Sequence, residues 1–231
     1  MREKMNKILI LVSGKKQSGK DQLATYMAEC LRGHGKTVGF EKISQRMKDW
    51  TAEDFLPVAD YLNGVAGQLD NFLKIFTDIR NPILPTAAYG QFVETINKIK
   101  LLPSNFYENK TDLSRMLLQI YGTSIIQNRV DTNYWDSITK KAVEGNNKVI
   151  TFVTDVRFPS NVDSLSDSAL WSTYVIRVNR KGFGSASDHI SETALDKYKL
   201  WNYVVENEGT LDNLKSAAKN IVKDIIEVGS L

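Results

Sequence analysis

The chain has 231 residues, 42% hydrophobic and 25% charged, enough for one sizeable domain or for a core domain with a large insertion, and its composition argues against disorder, collagen and coiled coil. A net charge of +3 with no dense basic block gives no reason to expect stable nucleic-acid binding, and the single cysteine, Cys30, provides neither a disulfide framework nor a cysteine metal cluster, which fits a reducing cytoplasm. No run approaches the ~20 apolar residues of a membrane helix, and ILILV after Arg2, Lys4 and Lys7 ends in GKK without a small-residue cleavage site, so it reads as a strand and not as a signal peptide.

In chain order, residues 7 to 13 form a near-continuous apolar run, the pattern of a parallel strand covered on both faces. A glycine-punctuated turn follows, and then Leu23, Met27, Cys30 and Leu31 recur at helical spacing over 19 to 32 until Gly33 and Gly35 stop the helix. Residues 37 to 43 read as a second strand. From Ser44 to about Pro103 the strand signal disappears while helical spacing persists, in Phe55, Val58, Ala59 and Leu62 and again in Tyr89, Phe92, Val93, Ile96 and Ile99, which predicts a helical insertion over about 44–110. Further helices are expected over 111–129 and 132–143.

The strongest strand is VITFVTD, 149 to 155, and it ends on an acid. A fourth strand is expected at 173–178, a polar two-glycine loop at 179–188, and a short fifth strand at 202–206. Thr210 then reads as the N-cap of a last helix whose stripe is Leu211, Leu214, Ala218, Ile221 and Ile225. Strands separated by helices predict a three-layer α/β/α domain around a five-stranded parallel sheet.

The turn after the first strand, Gly14-Lys15-Lys16-Gln17-Ser18-Gly19-Lys20-Asp21, fits the phosphate-binding pattern G-x-x-x-x-G-K-[ST] except that Asp21 stands where a hydroxyl residue is usual. Glycines there let successive backbone N–H groups face one phosphate, the next helix adds its N-terminal partial charge, and Lys20 reaches the β- and γ-phosphates. The bland alternative is a glycine turn with an incidental lysine; placement straight after a buried strand favours the phosphate loop. Asp155 could hold Mg²⁺ directly or through water, or merely cap the next segment, and Arg157 could neutralise transferring charge. Arg177, Arg180 and Lys181 suit the hinge of a lid over about 179–192 that closes on a nucleotide, or a solvated loop. Neither His34 nor His189 has an apparent zinc partner. Trp135 reads first as a helix-face core residue and Arg115 as a solvated helix residue.

Taken together, GKKQSGKD, SRMLLQIYGT, DTNYW, VITFVTDVRFPSN, VIRVNRKG, SDHISETALD and VENEGTLDNL resemble the deoxynucleoside monophosphate kinases of tailed bacteriophages and their prophage relatives. The resemblance covers about half the chain and leaves about 50–110 unmatched. It implies a P-loop kinase, residues 1–231 as one kinase domain, that transfers the γ-phosphoryl group of ATP to a dNMP with Mg²⁺ bridging, in a cytoplasm that is the host's if the chain is phage-encoded. In that family a GKD ending to the loop is usual, so Asp21 agrees with it; a Thr often follows, where this chain has Gln22.

On the matching positions the resemblance assigns Gly14, Lys16, Gln17, Ser18, Gly19, Lys20, Asp21 and Gln22 to ATP, with Asn207, Gly209 and Thr210 in the turn that contacts adenine. Lys16 would lie near both phosphates. Met47, Lys48, Arg115, Gly122, Thr123, Trp135, Asp155 and Arg157 would line the dNMP side, and Arg80 is a weaker candidate for a second phosphate clamp. Lys20, Asp155, Arg157 and Arg180 would carry the transfer; Asp21 and Asp155 would hold the metal, directly or through water. The resemblance leaves room for a homodimer and implies no membrane partner. The nearest rivals are a P-loop kinase for dephospho-coenzyme A or phosphomevalonate, which shares the loop and the terminal N-x-G turn, and a non-catalytic ATP-binding phage module. A GTPase is disfavoured because no N-K-x-D sequence follows the strands.

Overall fold

The computed structural model of the chain describes residues 7–45, 48, 127, 131–182 and 190–229. The chain divides into two compact units, one formed by 1–43 with 136–231 and the other by 44–135. The helices expected over 44–103 and 111–129 belong to the second unit and fall almost entirely outside the described residues; within it Ser44, Gln45 and Lys48 are helical.

The first unit is built on β1 (Lys7–Ser13), α1 (Lys20–Gly33), β2 (Val38–Glu41), α2 (Tyr134–Gly145, whose first two residues count with the second unit), β3 (Ile150–Val153), α3 (Pro159–Ser166), β4 (Trp171–Asn179), α4 (Ile190–Thr193), β5 (Tyr203–Glu206) and α5 (Leu211–Gly229). Its sheet has five strands in the order β2-β3-β1-β4-β5, all parallel, as the alternation of strands and helices predicts. The chain runs from β1 past the place of β3 to β2, returns to β3, and then crosses to β4. The connections after β1 and β3 thus leave in opposite directions, which opens a crevice beyond the carboxyl ends of those neighbours.

Alternate side chains of β1 go to opposite faces. Ile8, Ile10 and Val12 join Leu23, Met27 and Leu31 of α1 and Leu214, Ala218 and Ile225 of α5 in one core cluster, while Leu9 and Leu11 are fully buried on the other side. Burial on both faces is why the strand reads as unbroken apolar sequence. Lys7 starts that strand and its Nζ donates to three carbonyls at the end of α2: Val143 at 3.2 Å, Glu144 at 3.0 Å and Asn146 at 2.7 Å. A cation there satisfies the last acceptors of a helix and complements its dipole.

Several boundaries move. The expected strands 37–43 and 149–155 shorten to β2 and β3 because Val153 pairs with Leu11 and Glu41 on the final rungs of both ladders. Thr154 and Asp155 are thereby released from the sheet at its carboxyl edge. β4 begins two residues before the expected 173, at Trp171, whose indole Nε1 donates to Leu165 O of α3 at 2.9 Å. Neither α3 nor α4 was expected. Helix α3 has only Val162 and Leu165 as apolar markers, but Pro159 sits in its first turn, where it is well tolerated, and Asn161 Oδ1 accepts the N–H groups of Arg157 at 3.0 Å and Phe158 at 2.9 Å. The expected Thr210 cap is present: Asn213 N donates to Thr210 Oγ1 at 3.3 Å, and Thr210 N returns a bond to Asn213 Oδ1 at 2.9 Å.

Candidate active site

The turn between β1 and α1 is tightly set. Gln17 and Gly19 have φ of 64° and 93°. A Cβ on Gly14 would lie 2.4 Å from Ser18 Oγ and 2.7 Å from Val178 O, so only glycine lets the chain pass that close to β4. Ser18 N donates to Lys15 O at 3.1 Å and Leu23 N to Gly19 O at 2.9 Å. The N–H groups of Lys20, Asp21 and Gln22 precede that first helical bond and have no intrahelical acceptor. Ser18 is 2% exposed, and its Oγ has no hydrogen-bond partner among the described residues. A cradle of unsatisfied donors at a helix N-terminus, beside a buried orphan hydroxyl, is suited to phosphate.

Asp21 stands in the first turn of α1 with its carboxylate 58% exposed. Lys20 Nζ is 3.3 Å from its Oδ2, Lys42 Nζ is 3.5 Å from its Oδ1, and Thr154 Oγ1 donates to Oδ1 at 3.1 Å. Partial burial works against its ionisation, but the charges of Lys20 and Lys42 and the bonds from Lys20 and Thr154 outweigh it and hold the carboxyl below its ordinary 3.8. Asp21 is therefore a reliable anion near neutral pH. Asp155 is turned partly inward, with Oδ1 accepting from Ile43 N at 2.9 Å. Among the described residues no three His, Cys, Asp or Glu side chains gather as a metal cage. One exposed, ionised carboxylate beside a phosphate cradle nevertheless fits Mg²⁺, which takes most of its oxygen shell from water and phosphate.

Around the start of the loop lie further cations. Arg157 Nη1 donates to Glu192 Oε1 of α4 in a close ion pair and lies 3.5 Å from Ser191 O. Arg177, only 8% exposed near the end of β4, donates from Nη1 to Ser13 Oγ at 3.2 Å, from Nε to Asn179 Oδ1 at 3.2 Å and from Nη2 to Asp196 Oδ1 at 3.0 Å. Asp196 Oδ2 also accepts from Lys15 Nζ at 2.8 Å. A cavity of about 560 Å³ opens beside this cluster, lined by Lys15, Ser18, Arg180, Trp201, Glu206 and Glu208 among others. Its size suits a nucleotide-sized ligand.

The turn after β5 closes over the loop. Asn207 Nδ2 donates to Ser18 O at 2.8 Å, and its backbone N–H to Asn179 O at 2.8 Å. A Cβ on Gly19 would come within 2.4 Å of that Nδ2. The side chain expected near adenine thus stands on the phosphate loop. Thr210 uses its hydroxyl in the α5 cap, and Gly209 is exposed, packed so closely that a Cβ would meet Asn213 Oδ1 at 2.7 Å.

Of the residues singled out in the sequence, Gly14, Lys16 to Gln22, Asp155, Arg157, Arg180, Asn207, Gly209 and Thr210 are described and lie at the carboxyl end of the sheet or in the turns beyond it. Lys16, Gln17 and Gln22 are exposed, as is Arg180 on the cavity wall. Trp135 is fully buried in the first turn of α2. Lys48 is helical and half-buried; Met47, Arg80, Arg115, Gly122, Thr123 and residues 183–189 of the expected 179–192 lid lie outside the described residues. The sequence reading missed Lys15, Lys42, Thr154, Glu192, Asp196 and Trp201. The one available signal was the four-residue spacing of the acids Asp188, Glu192 and Asp196 in SDHISETALD.

A family model described as deoxynucleotide monophosphate kinase matches residues 56–218. The match takes in the 56–110 stretch that motif comparison had left unmatched, and it begins after the phosphate loop. A search of curated proteins finds no match.

Proposed function

Because the chain belongs to the deoxynucleotide monophosphate kinase family, we propose that it transfers the γ-phosphoryl group of ATP to the 5′-phosphate of a deoxynucleoside monophosphate, giving ADP and a dNDP. The observation that carries this reading is the N–H cradle between β1 and α1. It lies outside the 56–218 match and so supports a phosphate-bearing ligand independently of the family.

The reaction asks little covalent chemistry of the protein. An acceptor phosphate oxygen is already an anionic nucleophile; it bonds to the γ-phosphorus as the bond to the β-bridging oxygen breaks, and the electron pair leaves with ADP. What the site has to supply is alignment and relief of repulsion between two polyanions. In this reading the N–H groups of Gly19 to Gln22 hold the donor phosphates, with Lys16 alongside. Lys20 follows the charge onto the β–γ bridge. Arg157 and Arg180 carry further positive charge toward the transferred group, and Asp155 fixes Ile43 where the chain enters the second unit. The ionised Asp21 and Asp155 would hold Mg²⁺, directly or through water, and the ion would supply charge neutralisation to the donor phosphates. Met47, Lys48, Arg80, Arg115, Gly122, Thr123 and Trp135 are proposed for the acceptor side, and the turn of Asn207, Gly209 and Thr210 for the adenosine of ATP.

The test is a coupled ADP-release assay with ATP, Mg²⁺ and each of dAMP, dCMP, dGMP, dTMP and their ribose counterparts. ADP release with at least one deoxynucleotide is expected. ATP binding without release on any of them would refute the proposal and favour a different phosphorylated acceptor or a non-catalytic ATP-binding module.

A further inference from the structure

Lys15, Lys20, Arg157 and Arg177 all lie in or beside the phosphate loop, and four like charges so placed repel one another unless countered. Lys20 is met by Asp21, and the remaining counter-charges come from one short stretch. Glu192 and Asp196 are four residues apart, within and just after α4, and between them they hold three of the four cations. A water-sized cavity of about 10 Å³, bordered by Gly14, Lys15, Arg157, Arg177 and Glu192, joins the two ion-pair clusters.

Asp196 is the better placed of the two acids to govern the loop. Its Oδ2 accepts from Lys15, the first residue after Gly14, at 2.8 Å; its Oδ1 accepts at 3.0 Å from Arg177, which also donates to Ser13, the residue before Gly14. Arg177 is fixed in turn by Asn179 and by Trp201, whose ring lies 5.7 Å from its guanidinium carbon. One carboxylate therefore clamps the chain on both sides of Gly14. Gly14 itself sits against Val178 O too closely to accept a Cβ, so the loop is positioned by backbone packing on one side and by Asp196 on the other.

We propose that Asp196 is a positioning residue for nucleotide binding, acting through Lys15 and Arg177 to hold the Ser13–Lys15 stretch so that the N–H cradle meets the donor phosphates preorganised. This rests on the reading of the loop as an ATP site and adds to it a residue far outside the loop.

Asp196→Asn tests it, since Asn keeps an oxygen acceptor for Arg177 and removes the charge that holds Lys15. Calorimetric titration with Mg·ATP should show affinity about tenfold weaker, the scale of one lost charge-assisted contact, while adenosine, which has no phosphate to meet the cradle, binds within about twofold of the unmodified chain. Asp196→Glu should restore most of the loss. Lys15→Met should weaken ATP to a similar degree, and the double variant no further than either single one. Unchanged ATP affinity in Asp196→Asn, equal weakening of ATP and adenosine, or additive losses would each overturn the proposal. Should Asp196→Asn fail to fold, Lys15→Met decides alone, because it leaves the Arg177 pair intact and unchanged ATP affinity there refutes the clamp. A chain that binds ATP but phosphorylates no deoxynucleotide sinks the acceptor assignment and leaves these titrations decisive for Asp196; a chain that binds no ATP overturns both.

Discussion

Asn207→Ala separates two roles for the turn after β5. As a brace, Asn207 supplies the hydrogen bond that satisfies Ser18 O at 2.8 Å and abuts Gly19, whose φ of 93° holds the loop in the left-handed region. Truncation leaves a partly buried carbonyl without that donor, which costs about 1–3 kcal/mol. In a chain of this length each kcal/mol lowers the melting temperature by about 2–4 °C, so a fall of roughly 2–12 °C is expected by calorimetry or circular dichroism. The loosened loop should also raise KM for ATP and for GTP by the same factor, since both present the same phosphates to the cradle. The reasoning would be refuted by an unaltered melting temperature together with a changed ATP-to-GTP preference, the signature of a side chain that reads the base.

Two further outcomes follow from the loop. Lys20→Ala should reduce kcat in the ADP-release assay by about 10²–10³-fold, the scale of losing one preorganised electrostatic contact to the transition state, with a small change in melting temperature; an active Lys20→Ala enzyme would remove the loop from the mechanism. Asp21→Asn should be less stable than the unmodified chain near neutral pH, because the native carboxyl is held below 3.8 by Lys20 and Lys42. For a depressed carboxyl the stabilisation is complete above the unfolded value and is lost as pH falls through the native one, so the two melting curves should converge below about pH 3.8. A gap that persists to the acid limit would show that Asp21 stabilises by something other than its charge.

Much of the fold was legible because its signals are local. Burial of β1 on both faces writes itself as unbroken apolar sequence, and 7–13 needed no adjustment; the last helix could be placed because Thr210 caps it and its stripe recurs at helical spacing. Helix α3 was not legible, since its start depends on Asn161 accepting from the two residues before Pro159, and Asn161 is itself held by Asp136 of α2 at 2.8 Å. The phosphate loop announced itself by spacing alone. The roles of its supports did not: SDHISETALD stood out as a motif, yet nothing in its letters says that Asp196 pairs with Lys15, 181 residues earlier.

The sequence by itself determined the strands, their alternation with helices, a glycine-lysine turn at the end of the first strand, and the family likeness. The first three are matters of periodicity and spacing within a few residues, and the likeness rests on short motifs in a fixed order. Only the tertiary structure decided that β3 lies between β2 and β1, which opens the crevice beside the loop, and that Asn207, Asp196 and Thr154 come to rest on the loop and on Asp21. The physical reason is that a parallel sheet joins residues through crossovers, so which side chain meets which is fixed by where each strand is inserted and not by any spacing along the chain.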